Sequence, residues 1–150
     1  SWYDRPRVFY SCSFCYNIYM VDKKQKKQLI FFSLAVLWGM LIFYLSSTPN
    51  LSSGLPSTYD LILRKTAHVV VFMVLTYLIA SSFDSHNRRY LLFVIVVAVV
   101  YAFIDELHQV FVVTRSGNPT DIIIDSVGVY FGIWLYKHQP PNKLFKKFIK

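Results

Sequence analysis

Asp105, Glu106, His108 and Gln109 fall within one five-residue stretch, and Arg115 follows. Arg64, Lys65 and His68 stand together earlier in the chain, and Asp121 and Asp125 later. Side chains of these types can exchange protons, hold a metal ion or orient one another, and Lys65 and Arg115 can grip an anion. Their setting makes them informative. The segment "VAVVYAFIDELHQVF" (97–111) begins as chain fit for hydrocarbon. A carboxylate there costs about 3 kcal/mol on insertion scales, less near an interface, and normally faces a protein interior with a partner.

The elements that must position these groups follow from composition. The chain has 150 residues, 55% of them hydrophobic, with a mean hydropathy of +0.40. That is too apolar for an ordinary soluble domain of this size and points to a membrane protein. The formal net charge is +8, from 16 Lys+Arg against 8 Asp+Glu. In such a chain the excess reads as cytoplasmic anchoring. No basic face is interleaved with aromatics, and no zinc-finger or glycine-rich nucleotide motif occurs, so no nucleic-acid partner and no cofactor are expected. Both cysteines, Cys12 and Cys15, lie near the start, so the remainder has no disulfide available.

Residues 1–19 are aromatic and without clear period, whereas Met20 opens a lysine cluster and an apolar run. The sequence reads as an upstream or non-native extension over 1–19, a membrane domain over 20–138 and a basic cytoplasmic tail over 139–150. Apolar runs at 29–45, 66–83, 90–104 and 122–136 predict an all-α fold. A membrane crossing needs about 20 residues, so four transmembrane helices are expected near 28–46, 62–83, 89–113 and 120–137. Asn118 is a candidate N-cap, with Pro119 at the first helical position. Lys23, Lys24, Lys26 and Lys27, then Arg88 and Arg89, then Lys137 and the lysines of the tail fall on one side, predicting a bundle with both ends cytoplasmic. Arg64, Lys65 and Arg115 are exceptions on the outer side and need a reason.

Depth supplies one. Phe83, Tyr90 and Tyr136 mark inner boundaries, and His68, Asp105 and Asp121 each lie fifteen residues from one of them. At 1.5 Å per residue all three stand about 22 Å up, near the outer edge of the hydrocarbon. Helical spacing puts Tyr101, Asp105, His108 and Gln109 on one face of helix 3, and Asp121, Asp125, Gly128 and Gly132 on one face of helix 4. The last set contains Gly-x-x-x-Gly, which permits close helix approach. The expected result is an outward-facing polar cavity built from helices 2, 3 and 4, with helix 1 bracing it and the three outer cations pairing the acids.

At these residues the sequence resembles the VanZ-like family of bacterial integral membrane proteins. "FYLSSTP" (43–49) is similar to that family's Ser-Ser-x-Pro exit from helix 1, and "RKTAH" (64–68) to its Lys-x-x-His opening of helix 2. "DELHQVF" (105–111), "RSGNPTD" (115–121) and "DSVGVYFG" (125–132) match in the same order. Phe72 stands where the family often has Tyr, and "VVTR" lacks a common Pro-Gly. The family is named for an accessory protein of low-level teicoplanin resistance. The resemblance implies a cell-envelope role in the bacterial cell membrane.

The functional cluster is therefore Lys65, His68, Asp105, Glu106, His108, Gln109, Arg115, Asp121 and Asp125. It suits binding of a lipid-linked cell-wall precursor, a lipoglycopeptide or another anionic ligand, alongside ordinary membrane lipids. An alternative is a membrane-embedded enzyme with His68 or His108 as acid–base residue, Asp105 or Glu106 as orienter and Arg115 as anion clamp. The same groups also suit a plain ion network that fixes helix register. Asp105 and His108 are spaced to share a metal with His68 or Asp121, but no second His–carboxylate pair repeats the motif, and no metal is expected. Ser46 and Ser47 read as loop caps. Arg115 is expected to bridge Asp105, Glu106 or Asp121. Reporter fusions test the orientation: those at Asn87 and Lys150 read cytoplasmic and one at Ser53 external, and an external Lys150 refutes it.

Overall fold

The computed structural model describes residues 13–48, 57–83, 85–113 and 118–141, with side chains from residue 24 onward except Ser57. They form four helices: α1 (Ser13–Ser46), α2 (Ser57–Phe83), α3 (Arg88–Val110) and α4 (Pro119–His138). Three stretches, Lys24–Ser46, Thr58–Phe83 and Arg88–Val110, are long and apolar enough to cross a membrane. α4 carries Asp121 and Asp125 in its first two turns and is not among them.

The helices α1, α2 and α3 differ from expectation at an end. α1 runs back to Ser13, straight through Met20. "DKKQKKQ" holds no glycine or proline, and lysine and glutamine are good helix formers, so nothing stops the helix there. α2 starts at Ser57, five residues early. Asp60 complements the dipole of its first turn and pairs with Arg64 one turn on. α3 begins after Asn87, whose side chain accepts from the Arg89 N–H, and stops before Phe111. At α4 the sequence reading holds: the Asn118 side chain accepts from the Thr120 N–H at 3.1 Å, and Pro119 sits at the start.

The most extensive helix contact is between α2 and α4. Lys65 meets Asp121, His68 meets Asp125, and Gly128 and Gly132 lie against Val69 and Met73. The two helices therefore run parallel and in step. A Cβ on Gly132 would stand 2.6 Å from the Met73 carbonyl oxygen and 2.7 Å from the Thr76 Cβ. One on Gly128 would strike the Val69 carbonyl oxygen. Both glycines are thus required by backbone-to-backbone packing.

α1 lies antiparallel on α2. Gln28 donates to the Phe83 carbonyl at one end, and Trp38 Nε1 donates to the Val71 carbonyl at 3.0 Å in the middle. The core joins Ile42, Phe72, Leu75, Ala98, Ala102 and Val129, and a second cluster holds Ala80, Leu91, Val94, Ile133 and Tyr136. Large apolar side chains such as Leu37, Met40, Phe103 and Tyr130 point outward, as a lipid-facing surface requires. At the end where α2 begins, the packed surface turns polar.

Gly128→Ala and Gly132→Ala are each expected to destabilise the bundle by about 1–3 kcal/mol, the usual cost of overpacking. Gly39→Ala serves as the control, because its added Cβ would meet nothing closer than Tyr101 at 3.7 Å. Denaturant unfolding in micelles checks this, and an equal effect at all three positions contradicts it.

Candidate functional site

Four helix ends meet at the polar end: the exit of α1, the starts of α2 and α4, and the exit of α3. Asp105 and Glu106 are adjacent on α3, so their side chains diverge by about 100°. One therefore faces α1 and the other faces α2 and α4. The polar residues fall into two groups accordingly.

The first group joins α1 to α3. Ser46 Oγ donates to Asp105 Oδ2 at 2.9 Å, and Gln109 Nε2 donates to the same oxygen at 3.0 Å. Gln109 Nε2 also reaches Ser46 Oγ at 3.2 Å. Ser47 Oγ lies 2.9 Å from His108 Nε2 and donates to the Phe43 carbonyl at 2.7 Å. Its single proton is used there, so His108 donates to Ser47 rather than activating it. The His108 ring stacks on Phe43 with centroids 4.3 Å apart. Further down the same face, Tyr101 donates to the Gly39 carbonyl. The shared face of Tyr101, Asp105, His108 and Gln109 is as the spacing predicts, but it meets α1. Helix 1 is thus part of the site and not merely its brace. Ser46 and Ser47 do more than cap a loop. Their trace in the sequence is the Ser-Ser-x-Pro pattern of "FYLSSTP", which does not say which helix they meet.

The second group joins α2, α3 and α4. Lys65 Nζ donates to Asp121 Oδ1 at 2.9 Å. His68 Nδ1 lies 3.0 Å from Asp125 Oδ1. Glu106 Oε2 accepts from the Asn118 backbone N–H at 3.0 Å, which ties α3 to the cap of α4. His68, Glu106 and Asp125 each offer one ligand atom, all within 4.8 Å of one another. Asp105 and His108 turn to the serines, so the metal grouping considered from their spacing does not form. A different trio converges. Arg115 lies outside the described residues, and with it the expected bridge to Asp105, Glu106 or Asp121.

Burial makes this arrangement costly. Asp125 is fully buried, and Asp105, Glu106 and Gln109 nearly so. One oxygen of each acid, Asp105 Oδ1, Glu106 Oε1 and Asp125 Oδ2, is buried and lacks a hydrogen-bond partner among the described residues. Two ionised carboxylates with oxygens within 4.8 Å of one another repel by several kcal/mol, on the order of 3–4 at an effective dielectric constant of about 20.

Two cavities adjoin these groups. One of about 100 Å³ is lined by Ser46, Arg64, His68 and Asp105 together with apolar neighbours, and so touches both groups. The other is an apolar groove of about 800 Å³ between α1 and α3, floored by Leu75, Ile79 and Phe83 of α2. It is lined by Val36, Met40, Val97 and Tyr101 among others and reaches Ser47 at the polar end.

This geometry defines a multi-pass membrane protein with a buried polar cluster at one end of a helical bundle. The model of the VanZ/LLP1 family matches residues 8–145, and the chain belongs to that family. No curated protein and no solved structure gives a match.

Ser46→Ala is expected to cost about 1–3 kcal/mol, because the buried Asp105 carboxylate and Gln109 amide lose a direct partner. Ser47→Ala is expected to cost less, since its site is partly exposed. Unfolding of both variants in mixed micelles measures the difference, and the reverse order contradicts the assignment.

Proposed function

We propose that the chain is an envelope protein of the bacterial cell membrane that binds an anionic, lipid-linked ligand at its polar end. The observation that carries this reading is the groove of about 800 Å³ that ends at Ser47. An isoprenoid or acyl tail fits such a groove, and the headgroup then lies beside His108. Arg64 and Lys65 project from the start of α2 with partly exposed side chains, and Arg115 follows α3. These cations supply donors for a phosphate or carboxylate. A guanidinium suits that planar, bidentate task better than an ammonium. The polar end faces outside on the positive-inside argument, where lipid-linked wall precursors and lipoglycopeptides are both met. Through such binding the protein contributes to low-level teicoplanin resistance.

The test uses a polyprenyl phosphate probe and the purified chain in nanodiscs. Arg115→Lys is expected to weaken binding about tenfold, the loss of one charge-assisted contact of about 1.4 kcal/mol, with the bundle intact. Val97→Trp fills the groove and is expected to weaken binding of the long-chain probe but not of a short-chain phosphate. Unchanged affinity in both variants, measured by titration, removes the reading. Loss of teicoplanin tolerance in cells carrying either variant checks the biological consequence.

A further inference from the structure

We propose that His68, Glu106 and Asp125 form a binding site for one divalent transition-metal ion, zinc above all. The proposal stands apart from the lipid-linked ligand and does not depend on it. Four observations carry it.

The first is convergence. One residue comes from each of α2, α3 and α4, yet their ligand atoms lie within 4.8 Å of one another. Around a tetrahedral zinc with bonds near 2.0–2.2 Å, ligand atoms stand roughly 3.4 Å apart. The ligand atoms therefore need to close by no more than about 1.4 Å, a distance on the scale of side-chain rotation.

The second is unmet bonding capacity. Glu106 Oε1 and Asp125 Oδ2 are buried and have no hydrogen-bond partner among the described residues. Both side chains are more than nine-tenths buried. A buried carboxylate oxygen normally finds a donor or an ion.

The third is charge. Arg64 pairs with Asp60, and Lys65 with Asp121. Among the described contacts, Glu106 and Asp125 are left to share one imidazole. Two carboxylates, a neutral histidine and a divalent ion sum to zero charge, which is the state that burial favours. Mixed imidazole and carboxylate donors suit zinc or manganese, whereas magnesium and calcium prefer oxygen alone.

The fourth is support. Asn118 N–H holds the other oxygen of Glu106, which fixes that carboxylate from behind. Three protein ligands leave a fourth coordination position open, as mononuclear zinc sites with three protein ligands do.

Chelator-stripped full-length protein in detergent is titrated with zinc by calorimetry and with cobalt by visible absorption. One equivalent is expected, with a d–d band for cobalt. Glu106→Gln, Asp125→Asn and His68→Ala are each expected to weaken binding by at least about 10–100-fold. The double variant His86→Ala/His138→Ala is expected to keep it, since these residues lie outside the trio. Should the site variants fail to fold, X-ray absorption on the wild-type zinc complex decides the matter. One imidazole nitrogen with oxygen donors supports the site, and two or more imidazoles overturn it. Folded wild-type protein that binds no ion, or folded site variants that all bind as the wild type does, also overturns it.

Discussion

The parallel contact of α2 with α4 is the constraint on which the polar end depends. It exists because Gly128 and Gly132 place no side chain between the two backbones. Lipid tails are as apolar as the helix surfaces, so no hydrophobic gain draws helices together in a bilayer. Close packing and polar contacts must do it. The glycines set the separation, and the separation sets the register. In that register Lys65 stands against Asp121 and His68 against Asp125. A displacement of one turn would leave a fully buried Asp125 without its imidazole, and breaking a buried pair typically costs 3–5 kcal/mol.

α3 divides the polar end in two. Its neighbouring carboxylates, Asp105 and Glu106, serve different partners because adjacent helical positions diverge. Asp105 binds the exit of α1 through Ser46, and Glu106 binds the entry of α4 through Asn118. Each therefore holds a chain segment that would otherwise end in loose backbone. The Ser47–His108 contact and the Phe43–His108 stack fix α1 further. Away from this end α1 approaches α3 mainly through the Tyr101–Gly39 bond, which leaves the groove between them.

Helix count and composition were legible because four apolar runs are separated by polar or proline-bearing segments. The Asn118 cap was legible from local chemistry alone. So was the face of α3 that carries Tyr101, Asp105, His108 and Gln109, since helical spacing fixes which residues share a side. Which helix that side meets was not legible. In a soluble bundle the apolar stripe points to the core, but here the lipid-facing surface is apolar too, and rotation about the axis is underdetermined. Helix 1 was therefore assigned a lesser part than Ser46 and Ser47 give it. The same ambiguity hid the convergence of His68, Glu106 and Asp125. Asp105 and His108 share a helix and advertise themselves by spacing, whereas these three come from three helices. The start of α1 differs for another reason: the apolar run at 29–45 marks the membrane crossing, whereas the helix continues through the lysine- and glutamine-rich segment before it.

The groove between α1 and α3 opens sideways, and a bilayer leaves no such space vacant. Bulk lipid present at high local concentration will occupy it whenever a specific ligand does not. Tail burial then gives little net selectivity, because one hydrocarbon chain replaces another. For the lipid-linked ligand proposed above, discrimination would therefore come from the headgroup, and capture would proceed by two-dimensional diffusion within the leaflet rather than by collision from water. Occupancy by such a ligand would follow its mole fraction in the membrane and not its concentration in the medium.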